Sequence, residues 1–223
     1  IDLIGVRASD DVEITSITND APEVFPLGET IVTWTATDSS GNSASDYQQI
    51  LVIDTTSPSI TVPSNIEVEI YDKNGIEIDT GNAVSDDIID SQSTITNDAP
   101  EVFPLGETIV TWTATDSSGN SASATQTITV VDTTSPTIIA PSNVEVEATS
   151  MENNLVEFEF AEASDQVEIS TITNDAPTVF PLGETIVTWT ATDSSGNSAS
   201  ATQTITVVDT TSPVLIAPEN LNI

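Results

Sequence analysis

Cysteine and histidine are absent from this 223-residue chain, and Arg7 and Lys73 are its only basic side chains. Without either residue there is no imidazole base, no thiolate nucleophile and no thiolate metal site. Two cations cannot clamp phosphates, which argues against nucleic acid and anionic membrane surfaces as partners, because both demand clustered Lys and Arg. No apolar run approaches the roughly 20 residues that span a bilayer. Asn-x-Ser/Thr sequons are missing too, so N-glycosylation is not indicated. The chain starts at Ile1 without Met or a charged-then-apolar leader, which reads as a mature or cropped segment. Absence of disulfides is compatible with the cytosol and with the exterior.

What is abundant is acid: 36 Asp and Glu give a formal charge of -34. The natural counter-species is a cation. Such charge with little Leu and Phe is a disorder signature, but 37% hydrophobic residues, rich in Ile and Val and set in regular alternation, specify strands instead.

Internal repetition dominates the sequence. Asn97 to Pro136 and Asn174 to Pro213 differ only at Glu101 against Thr178, and Asn19 to Ser45 matches Asn97 to Ser123 without a change. Trp34, Trp112 and Trp189 recur every 77 or 78 residues, the length of one small domain of immunoglobulin size. Within each copy the period is two. Val110, Trp112 and Ala114 share one face of a strand while Thr residues cover the other, so Trp112 is a core residue rather than a sugar-stacking platform. Asp116-Ser-Ser-Gly-Asn120 then turns the chain, with Gly119 at the position that tolerates positive φ, and Ser121 to Val131 returns with Gln126, Ile128 and Val130 on one side. Asn143 to Ala148, and Val156 to Phe160, alternate apolar and acidic residues and predict two further strands. Val167 to Thr173 predicts another, kinked where its alternation slips at Ile172. Pro177, Pro181 and Gly183 break a short crossing segment. Six or seven strands per repeat predict an all-β fold of tandem immunoglobulin-like β-sandwiches.

Asp54-Thr-Thr-Ser-Pro58, Asp132-Thr-Thr-Ser-Pro136 and Asp209-Thr-Thr-Ser-Pro213 mark the boundaries. Linkers this short and Pro-bearing flex little, so the repeats are expected end to end in a rod. The expected division is 1–53, a repeat lacking its first strand; 54–131 and 132–208, complete repeats; and 209–223, the first strand of a following repeat or a donor strand. In the second case the tail of one copy would complete the open sandwich of the next by edge pairing, making a filament.

Phe103-Pro-Leu-Gly-Glu-Thr-Ile-Val-Thr-Trp-Thr-Ala-Thr-Asp-Ser-Ser-Gly-Asn120, followed by Ile128-Thr-Val-Val-Asp132-Thr-Thr-Ser-Pro136, resembles the hyalin repeat (HYR) family, a relative of the fibronectin type III sandwich. Ala163-Ser-Asp165 resembles that family's Ala-x-Asp element between its second and third strands. Many members carry a Cys pair that is missing here. The resemblance implies an extracellular adhesive or structural module at the cell surface, and acidic Cys-free versions are similar to arrays in archaeal and bacterial surface layers (S-layers) and adhesins.

In such a sandwich the loop between the second and third strands, the last hairpin turn and the incoming linker gather at one end. That groups Asp54, Asp86, Asp116 and Asn120 in the second repeat, and Asp132, Asp165, Asp193 and Asn197 in the third. Asp10, Asp38 and Asn42 form an incomplete first set, and Asp209 lacks partners. Hard oxygen ligands without nitrogen or sulfur suit Ca²⁺. The competing explanation is that Asp and Asn cap turns and tolerate left-handed backbone. Asp86-Asp87 does not imply a glycosidase, since adjacent residues point apart and two catalytic carboxylates must face each other across a substrate. The chain is thus expected to be a non-enzymatic surface-layer, stalk or filament segment, stiffened by calcium and partnered by neighbouring copies or repeats. The alternative is an adhesin stalk whose binding head lies elsewhere.

Overall fold

The computed structural model describes residues 3, 5–90 and 92–218. They form strands and no helix. Contacts divide the chain into two compact units: Ile1–Val62 with Asn82–Asn97 and Thr111–Ala124, and Pro63–Gly81 with Asp98–Val110 and Thr125–Ile223.

In the first unit, β1 (Ile14–Asn19), β2 (Gly28–Asp38) and β3 (Ser43–Val52) make an antiparallel sheet in the order β1-β2-β3. The short β4 (Ser59–Thr61) pairs antiparallel with β6 (Val84–Asp86), setting Ser59 opposite Asp86. β7 (Thr94–Asn97) lies along the Trp112–Thr115 end of β8 (Gly106–Thr115). β8 and β9 (Ser121–Val131) contribute residues to both units.

In the second unit, β5 (Ile66–Glu69) runs parallel to β9, Ile66 opposite Ile128. β10 (Thr137–Ile139) pairs with β12 (Glu162–Ser164), setting Thr137 opposite Ser164. β11 (Val144–Glu147), β13 (Ile169–Asn174), β14 (Gly183–Asp193) and β15 (Ser198–Val208) form a four-stranded sheet in the order β11-β15-β14-β13. A two-stranded and a four-stranded sheet therefore build the last repeat, and strands β4 to β9 repeat the plan. The fold is all-β, in tandem β-sandwich repeats.

Alternation dictates the core. Val187, Trp189 and Ala191 on β14 and Ile205 and Val207 on β15 are buried, and β11 adds Val144 and Val146 from the edge. Gln203 is also fully buried, yet both ends of its amide are used: Oε1 accepts from Trp189 Nε1 at 3.2 Å and Nε2 donates to Ser142 O at 2.8 Å. A buried amide satisfied in this way fixes register as well as filling space. β13 is irregular upstream of the kink read at Ile172: the register shifts between Ile169 and Thr171, and Ile172 pairs regularly with Ala191.

One expected strand does not form. Val156 to Phe160 has no ladder partner; the chain pairs at the Asn154–Phe180 bridge and again at β12. Its phenylalanines instead lean on the core edge-on, with Phe158 6.0 Å from both Phe180 and Trp189 and Phe160 5.7 Å from Trp189. Ring packing replaces backbone pairing there, since edge-to-face geometry is itself favourable. Residues 209–218 form no strand, and Val214, Leu215 and Ile216 are exposed. The rest of the predicted first or donor strand, 219–223, lies outside the described residues.

Candidate metal centre

The turn joining β14 to β15 is built on one carboxylate. Asp193 is buried; its Oδ1 accepts from the Ser195 and Asn197 amides at 2.9 and 2.8 Å, and its Oδ2 accepts from Asn197 Nδ2 at 2.9 Å. Asn197 Nδ2 also donates to the carbonyl of Asp132 at 3.1 Å, which draws the Asp132-Thr-Thr linker onto the turn. Asp132 Oδ2 accepts from Ser195 Oγ at 2.7 Å. Asp165 arrives from the loop after β12, its Oδ1 holding the Val167 amide at 2.8 Å. Asp132, Asp165 and Asp193 thus each present a carboxylate oxygen within 4.8 Å of the others. Asn197 joins the cluster as a brace that donates from its amide nitrogen.

Asn120 Nδ2 makes the same pair of bonds in the first compact unit, to Asp116 Oδ2 at 2.8 Å and to the Asp54 carbonyl at 3.2 Å. Here the strand register changes one assignment. Ser59 opposite Asp86 corresponds to Thr137 opposite Ser164, so the counterpart of Asp165 is Asp87, and Asp86 is the exposed last residue of β6. Asp87 Oδ1 accepts from the Ile89 and Asp90 amides at 2.8 and 2.9 Å. Counting from the Ala-x-Asp pattern misses this position because the second repeat carries two consecutive aspartates.

Among the remaining candidates, Asp38 is buried and holds the Ser40 and Asn42 amides, each at 2.8 Å. Asp10 is exposed, and it lines with Asp38, Arg7 and Trp34 a cavity of about 400 Å³. Asp209 is exposed and, among the described residues, holds Thr211 of its own turn, N at 3.1 Å and Oγ1 at 3.0 Å. Two further acids were not singled out in the sequence. Glu69 grips the following linker through Thr133 N, Thr133 Oγ1 and Thr134 Oγ1, and Glu147 grips Thr210 N and Oγ1. Their 78-residue spacing, equal to that of Asp54 and Asp132, was the available signal.

Burial works against the charged forms of Asp116 and Asp193, but the Asn120 and Asn197 side chains and the turn amides outweigh it and hold both carboxyls below their ordinary value. The Asn42 side chain lowers Asp38, the Thr133 amide lowers Glu69, and the Gln92 amide lowers Asp90. Groups depressed in the folded state contribute stability that is present above the unfolded carboxylate range of about 4 and lost as pH falls through their folded values. We predict that the metal-free protein, followed by tryptophan near-ultraviolet dichroism, holds its signal from neutral pH to about pH 4 and loses it below. A signal flat to pH 2 would contradict this account of the turns.

The fold and its turns define a tandem β-sandwich repeat protein whose loop carboxylates offer oxygen donors only. The HYR domain profile matches residues 53–130 and 131–207, and the chain belongs to the HYR domain family. It is 41% identical over 227 aligned residues to Hyalin of Strongylocentrotus purpuratus, covering 93% of this chain and 19% of that protein. It is 31% identical over 193 residues to the Mus musculus Sushi, von Willebrand factor type A, EGF and pentraxin domain-containing protein 1, covering 81% of this chain and 5% of the relative. The chain thus spans a small part of these relatives. A structure of Drosophila N-cadherin EC1-4 aligns over 83% of this chain and 59% of its own at 16% identity, with a TM-score of 0.36, too low to carry an argument. The setting is extracellular and at the cell surface. The archaeal or bacterial source expected from the acidic, Cys-free composition is corrected by these animal relatives.

Proposed function

We propose that this chain is a non-catalytic spacer of an extracellular adhesion protein, whose repeats are locked by Ca²⁺ at their linker ends. The observation that carries this is the meeting of Asp132, Asp165 and Asp193 within 4.8 Å. Three carboxylates at that spacing repel by roughly 1 kcal/mol per pair even in water, and more where water is excluded. No Lys or Arg belongs to any of the three elements. A hard divalent cation relieves the repulsion and takes its remaining ligands from carbonyls and water, which suits the variable six-to-eight coordination of Ca²⁺ better than the strict octahedron of Mg²⁺. Bound there, it ties the linker, the β12 loop and the β14–β15 turn into one joint. A stalk, a layer or a filament could all use such a joint.

Calorimetric titration of the metal-stripped chain with Ca²⁺ is expected to release or absorb heat saturably. At 100 times the dissociation constant the occupied site adds about 2.7 kcal/mol of stability. Asp165→Asn should remove the heat of the Asp132 cluster and the rise in melting temperature that goes with it. A wild-type chain that shows neither would overturn the proposal.

Pairing between copies is a second reading, favoured by the outer edge of β3, which pairs with no other strand among the described residues, whereas β15 and β9 each carry a parallel neighbour. Sedimentation of the same samples reads this directly: growth with concentration that is lost on deleting residues 209–223 supports strand donation, and a monomer throughout rejects it.

A further inference from the structure

Residues 155–160 leave a stretch of backbone in the last repeat without a partner. The chain departs from its bridge with Phe180 at Asn154 and enters β12 at Glu162, with no turn or bend between them. None of the six is proline, and among the described residues none of their N–H or C=O groups makes a hydrogen bond to the rest of the protein. Unpaired backbone groups must face water rather than the interior, and Leu155, Glu157, Glu159 and Phe160 are exposed accordingly. Val156 and Phe158 instead pack on the core, and the Phe158 ring lies 6.0 Å from both Phe180 and Trp189. A segment pinned through alternate side chains and open along its backbone is a template for an added strand.

The preceding repeat closes the same stretch. Ile76 bridges Phe103 as Asn154 bridges Phe180, but Asp79 Oδ1 then accepts from the Gly81 amide at 2.9 Å and Gln126 Nε2 donates to the Thr80 carbonyl at 3.2 Å. Gly81 leaves the extended range altogether, at a φ of 81°. The open edge therefore belongs to the last repeat and not to the repeat plan.

Charge selects the occupant. Glu157 and Glu159 share a face, since alternate residues of an extended chain point the same way, and the chain carries no Lys or Arg after Lys73 to offset them. Like charges set directly opposite each other destabilise a strand pair, which keeps an acidic strand of another copy away. A strand with Lys or Arg opposite the two glutamates is attracted, and the field of a chain of charge -34 speeds its approach. Its intervening apolar residues would cover Phe160, which is 77% exposed.

We propose that residues 155–160 are a docking edge for an extended basic segment of another protein, bound by strand addition with its cations against Glu157 and Glu159. This adds an interaction surface to the spacer and is independent of the calcium joint. The probe is an end-blocked hexapeptide of alternating lysine and valine, titrated into the isotope-labelled chain at physiological salt, with and without a chelator. Amide resonances of residues 155–160 should shift and their hydrogen exchange should slow, equally in both conditions. A paired strand turns every second amide toward its neighbour, so N-methylating one alternate set of peptide amides should abolish binding and N-methylating the other set should leave it. Glu157→Gln combined with Glu159→Gln, both at exposed positions, should weaken binding by roughly 2- to 30-fold through loss of two cross-strand charge pairs. A hexapeptide of alternating glutamate and valine should not bind. The proposal is overturned by the absence of any change at residues 155–160, by equal binding of the two N-methylated peptides, which would mean attraction to the acidic surface alone, or by unaltered affinity in the double Gln variant.

Discussion

Replacing Trp189 by Ala is expected to destabilise the last repeat by about 3–5 kcal/mol, and Trp34→Ala by less than half as much, although the two tryptophans sit in almost identical sequence. Trp189 is fully buried, stacked edge-on by Phe158 and Phe160 and bonded to a buried Gln203. Trp34 makes the matching bond to Gln48 at 3.2 Å, but Gln48 is exposed and Trp34 only half-buried, facing the cavity that Val6 and Arg7 help to line. Truncation at position 189 loses the transfer free energy of a whole indole and also leaves a void and an orphaned amide. At position 34 water already reaches part of the ring, so both terms shrink. For a repeat of this size the first substitution should lower the melting temperature by about 15–30 °C, since each kcal/mol is worth roughly 4–8 °C. Thermal melting of the two variants, followed at 222 nm and by the fluorescence of the remaining tryptophans, measures the ratio. Equal shifts would mean that the β1–β3 sheet protects its tryptophan as well as the complete repeat does.

This contrast bears on how much of the molecule is legible in its residues. Alternation alone places Val110, Trp112 and Ala114 on a buried face, and all three are buried. The Ser-Ser-Gly-Asn turn announces itself through Gly119, whose φ of 93° only glycine adopts freely. The third-repeat carboxylates were named from the order of linker, loop and turn, because those three connections share one end of any such sandwich. What sequence could not supply is register. Asp86 and Asp87 are equivalent as letters, and a one-residue slip in a strand moves a side chain to the opposite face. The pairing of Ser59 with Asp86 makes Asp87, not Asp86, the positional counterpart of Asp165. The Val156–Phe160 segment misleads for a related reason: its alternation records packing of Phe158 and Phe160 against Trp189, which needs no ladder.

The calcium proposal and the Glu grips bear on the same segment from opposite sides. Asp132 is held by the β14–β15 turn, while the next two residues of its linker are held by Glu69. The linker is therefore clasped by Glu69 on β5, the parallel neighbour of the strand it leaves, and by the β14–β15 turn, and all of these contacts lie in the second compact unit. A cation at the Asp132 cluster would strengthen one clasp without altering the other, so stiffness would depend on Ca²⁺ in degree. Under this reading chelation softens the array rather than unfolding it.

Asn154→Ala is expected to be nearly as damaging as loss of Trp189, and nothing in its sequence setting marks it. Asn154 is buried beneath the 149–154 loop. Its Oδ1 accepts from Thr149 N, Thr149 Oγ1 and Ser150 N at 2.7, 3.2 and 3.0 Å, while Nδ2 donates to Ser150 O and Phe180 O, both at 2.9 Å. One amide thus closes the loop and fastens it to the bridge with Phe180. Alanine leaves at least two backbone N–H groups and a carbonyl short of partners in a part-buried site, at about 1–3 kcal/mol for each group that water cannot reach. A total near 3 kcal/mol follows if half of them are rehydrated. Asn154→Asp separates this role from simple volume, because it keeps the acceptor and replaces the two-proton donor with a charge. At neutral pH the charged side chain would face the Ser150 and Phe180 carbonyls, a repulsive arrangement, and the variant should be at least as unstable as Asn154→Ala. As pH falls toward 4 the carboxyl takes up a proton and can donate to one of them, so its stability relative to wild type should improve. Urea melts at pH 7 and pH 4 give the two differences. A stability gap to wild type unchanged between those pH values would show that the amide protons of Asn154 do not hold this loop.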